Sequence, residues 1–206
     1  MDERPKPAIV HLALWATVTS IYLAPIVSSG ELRQGFASAF RVVAIVVFAG
    51  VAISGAIVVA TRLVRGKRWS TAPGEWLVFV LGVVLAVDAL MTRWPEHAIV
   101  PGEMIVRCAA CLATVVPTLS RRLSWTWKIY FMWMVFSQFA VIAITFGVAN
   151  GNPGSTGAIS SIRYSCAVTI PLIFAIWERK EGFGWLHWLG IGLNSIWHAY
   201  WIYSLT

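Results

Sequence analysis

The chain has 206 residues, of which 58% are hydrophobic and 12% charged, with a mean hydropathy of +0.73. A soluble domain is roughly half apolar and about a quarter charged, so this composition argues against a water-soluble fold and for an all-α bundle of transmembrane helices, one integral membrane domain over residues 1–206. The net charge of +7 does not indicate nucleic acid, because the basic residues stand at the ends of apolar blocks and not on one face between stacking aromatics; there they suit anionic lipid headgroups.

A helix crosses a hydrocarbon core of about 30 Å with roughly 20 apolar residues, and about 17 to 25 are tolerated. Ala8 to Val27 is the first block of that kind. It is longer than the roughly 7 to 15 residues of a signal h-region and no A-x-A site follows, so it reads as a span. Val42 to Ala60 is the second, and its Ala49, Ala52 and Ala56, with Gly50 and Ser54 alongside, form a small-residue face suited to close helix contact. The third, Trp76 to Met91, is short and bracketed by Trp76 and Trp94, aromatic anchors of the kind favoured at a lipid–water boundary. The fourth, Ile105 to Leu119, is also short, starts after Pro101 and Gly102, and carries Arg107; without it the count falls to six. Ile129 to Ala149 is the fifth. Asn150 to Gly157, reading NGNPGSTG, is an external turn: it resembles a nucleotide-binding loop only in its glycines and has no lysine. Ile159 to Trp177 and Trp185 to Leu205 complete seven spans.

Lysine and arginine test the count, since they collect on cytoplasmic connectors. Arg4, Lys6, Arg62, Arg65, Lys67, Arg68, Arg121, Arg122, Lys128, Arg179 and Lys180 fall on one side if seven segments cross, which is eleven of the 16 and all four lysines. Arg33, Arg41, Arg93, Arg107 and Arg163 fall on the other. The amino terminus is therefore expected in the cytoplasm and the carboxyl terminus outside, in a membrane we read as a bacterial inner membrane.

Polar residues within a bilayer are candidates for function. An outer charged cluster gathers Arg41, Asp88, Arg93, Glu96, His97, Glu103, Arg107 and Arg163. It reads either as a wet vestibule for a small solute or protons, or as a structural ion pair with arginines reaching to headgroups. On the seventh span His187, Ile191, Asn194 and His198 share one face; the stripe is interhelical glue, a proton relay or, with His11, a clasp for haem iron. The two histidines of the stripe stand about 16 Å apart along the axis. Cys108 and Cys111 form a C-x-x-C beside Arg107, a thiol pair or simply small residues at a close contact. Cys166 is a lone third thiol.

No lysine lies within a span, which excludes a retinal Schiff base. H-E-x-x-H, G-x-S-x-G and G-x-x-x-x-G-K-[ST] do not occur. The residues therefore specify no reaction, cofactor or metal. The leading expectation is a non-enzymatic membrane module, meaning a sensor input, assembly partner or scaffold, with the bilayer and other membrane proteins as partners. A permease built on Asp88, Arg107 and Arg163 with the seventh-span stripe, and a redox protein using haem or the thiol pair, are the alternatives. The distribution of basic residues makes one measurable prediction: a tag at the carboxyl end is accessible from outside intact cells, and a protected tag contradicts the seven-span count.

Overall fold

The computed structural model describes residues 15–20, 36–64, 72–91, 99–120, 123–149, 156–178 and 183–205, and the only regular secondary structure among them is helical. Helix α1 is the stretch 15–20. It is followed by α2 (Phe36–Val64), α3 (Pro73–Met91), α4 (Ile99–Leu119), α5 (Trp125–Ala149), α6 (Thr156–Trp177) and α7 (Trp185–Leu205). The rest of Ala8 to Val27, His11 included, lies outside the described residues.

Six helices overlap expected spans and α7 matches at both ends, but α2 and α4 each start six residues earlier than their apolar runs suggest, and α2 also runs four residues further; in α4 the reason is local. Pro101 and Gly102 lie in its first turn and not ahead of it. A proline there forfeits no hydrogen bond, because the first N–H groups of a helix have no intrahelical acceptor. With 21 residues the helix measures about 31 Å at 1.5 Å per residue. By length and composition two stretches, Val43–Arg62 and Pro73–Met91, are long and apolar enough to cross a membrane, while Met104–Leu119 and Tyr164–Trp177 are shorter apolar helices.

Helices α3, α4, α5, α6 and α7 close a ring in that order, α7 returning to α3; α2 packs outside it on α3 and α7. One buried cluster fills the ring, with Trp76 and Leu77 from α3, Trp127, Tyr130, Phe131 and Met134 from α5, Ala175 from α6 and Ile191 from α7. A second cluster, with Ala49, Ala52 and Val59 of α2 against Val78, Leu81 and Leu85 of α3 and Leu186 and Leu193 of α7, joins α2 to the ring. The small-residue face of α2 is used as expected: a Cβ on Gly82 of α3 would collide with the Ala52 carbonyl and the Ala56 side chain.

Large apolar side chains also face outward. Leu112, Phe136 and Ile196 are 72%, 66% and 60% exposed, whereas Thr114, Gln138, Asn194 and His198 are buried. Soluble monomers rarely leave large apolar side chains in contiguous outward-facing patches.

Helices α3 and α7 meet backbone to backbone. A Cβ on Gly190 would strike the carbonyl group of Gly74, and one on Gly74 the backbone of His187, while a Cβ on Gly192 meets nothing within 4 Å. Gly190→Ala is therefore expected to lower stability in micelles by about 1 to 3 kcal/mol through overpacking. Gly192→Ala, on the same helix, is expected to be neutral or to gain up to about 1 kcal/mol from helix propensity. Chemical denaturation of both variants checks the contrast.

Candidate functional site

The polar face of α7 is turned inward along its length: His187, Ile191, Asn194 and His198 are all buried. His187, Asn194 and His198 each make a specific hydrogen bond.

At the start of α3, Pro73 supplies no N–H and the Glu75 N–H donates to the Ala72 carbonyl at 3.1 Å. The Gly74 N–H donates across to Nδ1 of His187 at 3.0 Å. An imidazole from another helix thus caps one of the orphan donors of this helix end. An accepting Nδ1 is unprotonated, so the neutral ring carries its proton on Nε2, and Nε2 is buried without a hydrogen-bond partner. Phe183 stacks on the ring at 4.1 Å between centroids, Trp188 stands edge-on at 5.1 Å and Trp127 at 6.4 Å.

The same end of the bundle holds two carboxylates. Glu75, in the first turn of α3, pairs with Arg62 in the last turn of α2 at 3.3 Å; each charge sits at the helix end whose dipole favours it. Glu178, just past α6, accepts from Trp127 Nε1 at 2.8 Å, from the Ser124 hydroxyl at 2.9 Å and from the Thr126 hydroxyl at 3.2 Å. It ties the end of α6 to the start of α5, and Trp127 links that tie to His187.

Deeper in the ring, Pro171 lies inside α6. With no N–H, it leaves the carbonyl four residues earlier, that of Ala167, without its helical donor. Asn194 of α7 donates Nδ2–H to this oxygen at 2.8 Å, and the Tyr130 hydroxyl of α5 stands 3.5 Å from it. One vacated backbone acceptor thereby joins three helices. His198 Nδ1 lies 2.8 Å from the Asn194 carbonyl of its own helix. A carbonyl only accepts, so this histidine carries its proton on Nδ1. Its ring lies 5.9 Å from that of Tyr164.

The outer cluster is described only in part. Asp88 of α3 and Arg107 of α4 are half-buried, and both interact with neighbours. Arg41, Glu103 and Arg163 fall on helix backbones, with side chains outside the described residues, as are Arg93, Glu96 and His97. Cys108 is exposed, Cys111 buried and Cys166 half-buried, and none of the three is in a disulfide.

Among the described residues no three of His, Cys, Asp or Glu gather as metal ligands. The tautomers divide the two stripe histidines: His187 offers a proton at Nε2 where an iron ligand needs a lone pair, while His198 keeps that lone pair.

Of the residues from which the His187 end is built, Gly74, Glu75, Trp127 and Glu178 are not among those the sequence singled out, and Arg62 reads from the sequence only as a topology signal. Glu178 carries a signal there, as an acid beside the basic Arg179 and Lys180 at the end of an apolar block. Pro171 is another, a proline in mid-run that marks a freed carbonyl four residues before it. Compared with known protein families, with curated proteins and with solved structures, the chain matches none.

The bond from Asn194 depends on Pro171, which gives a double-mutant cycle. Asn194→Leu is expected to cost about 0.6 kcal/mol, the mean for interhelical side-chain hydrogen bonds in membranes, and no more than about 1.7 kcal/mol, their maximum. In a Pro171→Ala background, where the new N–H can reclaim the Ala167 carbonyl, the cost is expected to fall. Equal costs in the two backgrounds contradict the assignment.

Proposed function

We propose that the chain is a multi-pass integral membrane module whose interior polar groups hold helices in register, and that it acts by assembling with or reporting to other membrane proteins without a reaction of its own. The observation that carries this reading is the α7 face: the Gly74 amide takes His187, and the Ala167 carbonyl takes Asn194. Groups that would line a solute pathway are engaged in joining α7 to α3 and α6. The space between His187 and Asn194 belongs to Ile191, which packs in a cluster with Trp76, Trp127, Tyr130 and Phe131. That filling supports a packed module over a carrier.

Large apolar side chains facing outward, with Thr114, Gln138, Asn194 and His198 buried, support placement in lipid, where every backbone polar group must find its partner within the protein. The seven-span arrangement with a cytoplasmic amino terminus draws support from the contacts joining the α2–α3, α4–α5 and α6–α7 connections at one end, since those connectors carry nine of the basic residues. Trp125, Trp177, Trp185 and Trp188, exposed near that same end, suit an aromatic belt at a headgroup boundary.

Two measurements test this. After alkaline carbonate washing the expressed chain is expected in the membrane pellet; recovery in the supernatant contradicts the reading. Asp88→Asn and His198→Ala are expected to change thermal stability or co-purification with membrane partners. Loss of a solute or proton flux in those variants, with stability unchanged, favours a carrier.

A further inference from the structure

We infer that His187 is a hydrogen-bond donor site for a carbonyl oxygen carried by a molecule dissolved in the bilayer, reached between Phe183 and Trp188 at the end of the bundle where α3 and α7 cross. The site rests on the membrane placement proposed above.

The donor is defined by geometry. The Gly74 N–H occupies Nδ1, so the ring proton resides on Nε2, which is wholly buried and without a partner. An unsatisfied buried N–H is destabilising by about 1 to 3 kcal/mol, so a ligand that supplies an acceptor gains what the bundle alone leaves unmade. The surroundings define what that acceptor is attached to. The rings of Phe183, Trp127 and Trp188 lie against the imidazole, and the Glu178 carboxylate sits behind Trp127; aromatic faces and a nearby negative charge both disfavour an anion and leave an uncharged planar or ester carbonyl as the acceptor. Access is lateral. Trp188 is 44% exposed, Phe183 is half-buried, and Gly184 beside it has open space where a side chain would stand. Phe183 covers one face of the imidazole, and an occupant has to displace that ring or Trp188 to reach Nε2. Two sources present this chemistry at that depth, the ester carbonyls of phospholipids and the carbonyl of a lipid-soluble quinone.

The test uses the full chain with ¹⁵N-labelled histidine, reconstituted in nanodiscs of diester or diether phosphatidylcholine, with and without a decyl-tailed benzoquinone. His187→Asn identifies the His187 signal and keeps an acceptor within reach of the Gly74 N–H. A downfield Nε2–H shift in ester discs relative to ether discs assigns the site to lipid. A shift only on adding the quinone assigns it to that class, and His187→Asn then binds the quinone roughly fivefold more weakly, the ratio equivalent to about 1 kcal/mol. An Nε2–H signal unchanged in all four samples overturns the inference and leaves the proton to ring faces or water. Failure of the chain to enter discs contradicts the membrane reading instead.

Discussion

A buried polar group that finds no water needs a partner within the protein, and the contacts of α7 answer that constraint at two places. Proline in α6 removes one donor, and the acceptor thus exposed is taken by an asparagine of the next helix. The first turn of α3 has donors to spare, and an imidazole of α7 takes one. Neither bond comes from within the helix that has the need, so each satisfied group also fixes a neighbour. At these two places the break or helix end creates the demand and the partner helix supplies the answer.

The glycines allow the bond between α3 and α7. Gly74 and Gly190 let α3 and α7 approach until only backbone separates them, and this approach puts the His187 ring within reach of the Gly74 amide. Aromatic packing from α5 then closes the inner half of the ring, with Trp127 serving both as core and as donor to Glu178. At that end five helices are joined through interactions of different kinds: an ion pair, a capped amide, a carboxylate with three donors and stacked rings.

Helix positions were legible because hydropathy and length act locally, and the small-residue face of α2 was legible because side-chain size at helical spacing is a local property. The inward face of α7 could also be read, since His187, Asn194 and His198 recur at helical intervals. Their partners could not. Gly74 and Ala167 contribute backbone atoms, which carry no residue-type signal, and they come from segments 113 and 27 positions away. The start of α4 was misplaced for a different reason: Pro101 reads as a boundary, yet a first helical turn tolerates it.

Spin labelling along α5 probes the division between apolar exterior and packed interior without reference to any activity. With the three native cysteines replaced by serine, nitroxides at Phe136 and Phe139 are expected to collide often with oxygen and seldom with a water-soluble nickel chelate, while those at Phe131 and Met134 are shielded from both. Frequent collisions with the chelate at Phe136 would place that face in water and contradict an exterior built for lipid.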